Sequence, residues 1–219
     1  MSAVPRWTLL SAGGAPLFLI GGWTLAQAAQ PDRFDPVRQT ISALAATNAD
    51  HRWIMTVGLA GLGLCHLVTA FGLVTAAPTG RGILALGGLA TLVLAVFPQR
   101  PAGGSTTHAV AAGVAFVALA LWPALAVPRR AVLSVPPLDR DQLRPRALST
   151  SSGPAPGAAL ATAAFLLGLV GWFGVEFFTE GAWVGLTERL AAAAEAVVPL
   201  AAVLAALAGG RRSGPSGLR

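Results

Sequence analysis

The sequence predicts an all-α integral membrane bundle of six transmembrane helices plus a short outer amphipathic helix. Composition is the first reason: 54% of the 219 residues are hydrophobic and 11% charged, against about 45–50% and 25% in soluble domains. The second is six apolar runs near the roughly 20 residues that cross a bilayer. The third is that none of these runs alternates apolar with polar residues. Isolated strands cannot satisfy their backbone in lipid and no barrel pattern is present, so the spans are helices. The longest polar piece, 128–157, is too short to bury a core of its own, which excludes a soluble catalytic domain.

The spans read as Thr8 to Ala29, Trp53 to Ala76, Gly82 to Phe97, Ala109 to Val127, Ala158 to Phe178 and Leu190 to Leu207. The third is short and the sixth Ala-rich. Ala26-Gln27-Ala28 behind Arg6 has the small-x-small pattern of a signal-peptide cleavage site. The run before it is long for a signal peptide and carries Gly21 and Gly22, so it is assigned as a span. The chain then divides into a four-span part, 1–127; a flexible cytoplasmic linker, 128–157, rich in Pro, Ser and Gly; a two-span part, 158–208; and a cytoplasmic tail, 209–219.

Orientation follows from the arginines, the only strong cations in a chain without lysine. With the N-terminus inside, ten flank the inner ends (Arg6, Arg81, Arg129, Arg130, Arg140, Arg144, Arg146, Arg211, Arg212, Arg219) and five the outer (Arg33, Arg38, Arg52, Arg100, Arg189). That asymmetry favours a multi-pass plasma-membrane protein with both termini cytoplasmic. Trp7, Trp53, Trp122 and Trp183 fall near span ends, as an interfacial belt would. Arginines dispersed in this way exclude a nucleic-acid surface, which would gather them on one element. Membrane lipids are the expected partners. A lone Cys65 gives neither an intrachain disulfide nor a Cys-based zinc motif, and no cofactor is called for.

The informative loop runs from Gln30 to Leu44. Asp35-Pro36 is a good helix start, and a helix from Pro36 to about Ala46 is expected, its stripe of Ile41, Leu44 and Ala45 lying on the membrane surface or capping the bundle. Arg38 and Ser42 would share its other face. The run Asp35-Pro36-Val37-Arg38-Gln39-Thr40-Ile41-Ser42-Ala43-Leu44, followed by Phe97-Pro98 ending the third span and His108 opening the fourth, resembles the bacterial and archaeal membrane family called domain of unknown function 998. The similarity extends from about Gly14 to Leu207. It implies a multi-span helical membrane protein with no established activity. After Phe97-Pro98, where that family often carries an acidic residue or a cysteine, this chain reads Gln99-Arg100-Pro101, so no role carries over to that position.

Read from the residues alone, the titratable groups gather in the outer third of the membrane: Asp35, Arg38, His51, Arg52, Arg100, His108, Glu176, Glu180, Glu188 and Glu195. Ionisable groups inside a span are expensive unless paired or wet. Glu176 and Glu195 are therefore expected to face the bundle, with Arg52 and Arg100 as the nearest partners. The candidate ligand-binding set is Asp35, Arg38, Ser42, Arg100, His108, Glu176 and Glu195. It describes a polar outer pocket in which Arg38 or Arg100 holds an anionic group such as a lipid phosphate.

Each member has a plainer reading. Asp35 is explained as a cap, His108 as an interfacial hydrogen-bonder, and the glutamates as ion-pair partners. His66, in the second span, is either a buried polar contact or a haem or metal ligand. About 20 Å of helix separates it from His51, which disfavours a bis-His haem, and a zinc site from His51, His108 and a carboxylate has no ligand spacing behind it. Two alternatives stand beside lipid binding. One is a membrane hydrolase or transferase with His108 as base beside an acidic partner. The other is a scaffold or transporter-like subunit, with Gly58, Gly61, Gly168, Gly171 and Gly174 as helix contacts.

Overall fold

The computed structural model describes residues 4–30, 34–100, 104–127 and 156–212. Among them seven helices occur: α1 Thr8–Ala28, α2 Ile41–Leu44, α3 Trp53–Gly72, α4 Pro78–Val96, α5 Thr106–Leu125, α6 Pro156–Phe178 and α7 Val184–Arg212. All but α2 are long and apolar enough to cross a membrane. The six expected spans are present, and the chief shift is at α7, which begins six residues before Leu190 and so takes Glu188 and Arg189 into the helix. The linker 128–157 lies outside the described residues except for its last two, which open α6.

Each spanning helix packs on the next one in the chain, and α7 closes back onto α1, so the six form a ring. We call the face carrying the α1 N-terminus and the α7 C-terminus proximal, and the opposite face distal. α3 and α4 approach closely at Gly63 and Gly88. A Cβ on Gly63 would stand 2.7 Å from the Gly88 carbonyl oxygen, and one on Gly88 2.8 Å from that of Gly63, so neither position accepts a side chain without separating the helices. Two apolar clusters fill the ring. The distal one centres on Leu19, Met55, Leu59, Leu62 and Leu94, and the proximal one on Leu84, Leu119, Trp122 and Val203.

The loop after α1 departs from the expected helix over Pro36–Ala46. It forms a turn at Pro36–Gln39 and then the four-residue α2, whose N-cap is Thr40 rather than Asp35. The reason is local. Thr40 is extended (φ −69°, ψ 160°), and its side chain accepts from the Ala43 amide, which starts a new helix instead of continuing the old one. Asp35 Oδ1 accepts from Val37 N at 2.9 Å, closing a turn on itself. Of the two places open to the stripe, the membrane surface and the cap of the bundle, it takes the second: Ile41, Leu44 and Ala45 are buried in the distal cluster.

Trp7, Trp53 and Trp183 stand exposed at helix ends as a belt requires. Trp122 does not; it is buried in the proximal cluster against Leu84 and Val203, where the α3–α4 connection meets the end of α5 through the Ala77 amide and Ala126 O. Gly58 and Gly61 meet α1 at Phe18 and Gly22, as expected of helix contacts. Gly168, Gly171 and Gly174 do not. A Cβ at any of them meets nothing within 4 Å, since α6 sits at the rim of the ring with most of its surface outward.

Candidate functional site

The distal loop is fastened to the start of α7 by backbone chemistry. Arg189 Nη1 donates to the carbonyl oxygens of Pro36 at 2.9 Å, Gln39 at 2.8 Å and Gly185 at 2.9 Å. Val37 O accepts from the amides of Gly185 and Leu186 at 2.8 and 3.1 Å. These are the first amides of α7, which have no partner within their own helix. Gly185 is required here by close approach, since a Cβ would stand 2.3 Å from Gln39 O. The guanidinium lies 5.9 Å from the Trp23 ring and 5.6 Å from that of Phe34, so two aromatic faces shelter a cation that has little solvent of its own.

One residue earlier, Glu188 turns inward. Its carboxylate accepts from the Ile41 amide, and its Oε1 stands 3.4 Å from Ser42 Oγ. The same hydroxyl is 3.1 Å from His108 Nε2, while His108 Nδ1 is 2.9 Å from the carbonyl oxygen of Phe97. A carbonyl can only accept, so Nδ1 carries the proton and Nε2 presents its lone pair to Ser42, whose single hydroxyl proton serves either Nε2 or Glu188 Oε1 but not both at once. Ser105 holds the start of α5, accepting from the His108 amide. Loop, α4 end, α5 start and α7 start thus converge on Ser42.

Three hollows surround this polar chain. A groove of about 370 Å³ runs between α5 and α6, with Ser42, His108 and Glu188 at its distal end and Ala112, Phe116, Val170 and Phe173 along its length. Phe116, Phe173, Phe177 and Phe178 form a row of rings with centroids 5.1, 5.9 and 5.5 Å apart, which gives the groove an aromatic wall. Thr40 and Phe177 also border a second, open cleft of about 480 Å³ at the distal surface, lined by Arg38, Glu176 and Glu180. A third, of about 50 Å³, lies on the ring axis below α2 and is lined by His66, Thr91, Glu188 and Glu195 among apolar side chains.

A family model described as "Protein of unknown function (DUF998)" matches residues 12–206. The chain belongs to the DUF998 family. Neither the curated proteins nor the solved structures contain a match to it. Membership assigns no residue a role, so the chemistry of the DUF998 chain rests on its own geometry.

That geometry divides the candidate set. Ser42 and His108 meet, and Arg38 and Glu176 share the open cleft, where Arg38 Nε lies 3.7 Å from Asp35 Oδ2. Asp35 serves the turn. Glu195 belongs to the deep axial hollow and not to the distal pocket. Arg100 is exposed and borders none of the three hollows. The expected partnership of Arg52 and Arg100 with Glu176 and Glu195 is corrected. Glu176 Oε2 instead accepts from the Trp183 amide at 2.9 Å, closing the α6–α7 turn, and Glu195 Oε1 has no hydrogen-bond partner among the described residues. Both arginines are drawn outward because their loops end at the surface. No group of three or more His, Cys, Asp or Glu residues suited to a metal occurs among the described residues.

Sequence reasoning passed over Glu188 and Arg189 as site residues because an apolar-run count starts the last span after them. A signal was available. Gly185, Glu188, Ala192 and Glu195 recur at three, four and three residues, which is one face of a helix extended upward past its apolar run.

Proposed function

We propose that this protein holds an amphipathic, lipid-like molecule at its distal face, the outer one by the arginine asymmetry. The chain would lie between α5 and α6 and the polar head against Ser42 and His108, reaching past Thr40 and Phe177 toward Arg38. The observation that carries this reading is the groove itself, apolar over roughly 18 Å of α5 from Ser105 to Val117 and polar at one end only. Its rim residues Val117 and Phe178 are exposed on the apolar belt, so the groove opens sideways toward lipid, and Arg38 offers a headgroup phosphate charge-assisted bonds.

Gly113 and Gly174 line the groove, and a Cβ at either meets nothing within 4 Å. Gly113→Phe should therefore fill the groove without disturbing the fold. We expect co-purifying lipid, measured by mass spectrometry of the detergent-solubilised protein, to fall on the order of tenfold with Tm unchanged. Equal lipid content in variant and parent would refute the reading.

A second reading has its own observation, the Ser42–His108 contact with the imidazole tautomer fixed by Phe97 O. This is the geometry of a nucleophile and its general base. Ser42 Oγ would attack an ester carbonyl of the bound molecule as its proton passes to His108 Nε2, which then returns it to the departing alcohol; water releases the acyl group by the same route. On this reading Ser42→Ala lowers hydrolysis of a fluorogenic lipid ester by about 10²-fold or more. Absence of any esterase activity in the parent removes this reading and leaves the binding reading intact.

A further inference from the structure

Beneath the distal site, the ring axis holds polar groups that no atom of the described residues satisfies. His66 is 0% exposed and Glu195 2%, and neither His66 nitrogen nor Glu195 Oε1 has a hydrogen-bond partner among the described residues. All three atoms belong to residues lining the same 50 Å³ cavity. An unpaired buried polar atom costs roughly 1–3 kcal/mol. Helix backbones cannot relieve it, since their amides are already used within the spans. The cavity is several times larger than the roughly 10–15 Å³ that one water molecule occupies by this measure, and His66, Thr91, Glu188 and Glu195 are among the residues that line it.

The surroundings give that water a direction. Thr91 Oγ1 donates to Gly87 O at 2.9 Å and keeps its lone pairs for an acceptor role toward the cavity. Glu188, seven residues before Glu195 and two turns above it, about 10 Å away along α7, lines the upper end. Ser42 and His108 lie beyond it. Among the described residues, the other packed elements bring only apolar groups and Thr91 to the cavity: Leu19 from α1, Ile41 from α2, Thr91 and Leu94 from α4, Ala115, Phe116 and Leu119 from α5. The titratable set is therefore His66, Glu195 and Glu188. Arg189 is engaged by loop carbonyls, and Cys65 Sγ lies against Gly14 of α1.

We propose that the axial cavity is a hydration site whose water molecules hydrogen-bond His66 and Glu195 and join them to Glu188, forming a proton-exchange path between the bundle interior and the distal site. A proton leaves the Glu195 carboxyl for a bridging water, and that water passes one of its own protons to the Glu188 carboxylate. Glu195 is left ionised and Glu188 neutral, with His66 as the alternative acceptor at the inner end. The path does not depend on what the distal groove binds.

Infrared difference spectroscopy of the full chain in lipid nanodiscs tests this. A carboxyl C=O band that shifts on exchange from H₂O to D₂O is expected in the parent, lost in the near-isosteric Glu195→Gln and displaced in Glu188→Gln. A band that fails to exchange, or one that Glu188→Gln leaves in place, overturns the proposal. A thermal cycle gives an independent reading. Glu195→Leu and His66→Phe should each lower Tm by on the order of 5 °C, and the double variant by less than the two together, because both act on shared water. Additive effects, or a rise in Tm in either single variant, would mean a dry void. A Tm increase with Na⁺ or K⁺ that Glu195→Gln abolishes would assign the cavity to a cation and equally overturn the proposal.

Discussion

Glu188 and Glu195 are the same residue type on the same face of α7, two turns apart, and both are buried. Their surroundings differ entirely. Glu188 is met by the Ile41 amide and the Ser42 hydroxyl, while Glu195 Oε1 meets no protein donor among the described residues. The difference is access to irregular backbone. At the distal end a loop turns inward and brings amides and carbonyls that no helix has consumed; deeper in the ring every neighbour is a helix with its amides spent. A buried carboxylate at a bundle's end is thus a matter of loop architecture, whereas one at its middle calls for something other than protein.

The contrast can be broken most forcefully at the clamp. Arg189→Met keeps the apolar stem but strips the Pro36 and Gln39 carbonyls of their donor, with an expected cost on the order of 3 kcal/mol and a Tm fall of about 10 °C. Protease sensitivity of the 34–44 loop should rise with it. A stable variant would mean that the loop is held by its apolar stripe alone. Glu188→Leu should come next, at about 2 kcal/mol, because the Ile41 amide loses its acceptor while the clamp remains. Hydrogen exchange at Ile41 is the direct measurement, and an unaltered rate would contradict the pairing. Arg100→Ala should do least, within about 0.5 kcal/mol of the parent and without effect on lipid content, since the side chain is exposed and borders no hollow. Any substantial loss there would restore it to the site.

Much of this architecture was legible in the chain. The spans were, because hydrocarbon thickness fixes run length, and Ser42 and His108 were, because polar residues beside an apolar run are conspicuous. The length of the loop helix was not. Asp35-Pro36 has the residues of a helix start, yet the carbonyls of Pro36 and Gln39 are committed to Arg189, 150 or more residues away. Partners made of backbone leave no trace in residue identity, so Arg189 read as a topology marker rather than a clamp. The missing partner of Glu195 was equally hidden. Charge pairing on paper offered Arg52 and Arg100, but both end at the surface, beyond the reach of a carboxylate two turns into the bundle.

The Arg189 clamp also joins segments that are made far apart in synthesis. The loop it grips follows the first span, and the gripping residue is made with the last, so until then the Pro36 and Gln39 carbonyls lack the donor they have in the finished fold. A nascent chain released after five spans would carry Ser42 and His108 without the strap that brings them together. The clamp is therefore complete only once the final helix lies against the first, the last join between the two ends of the chain.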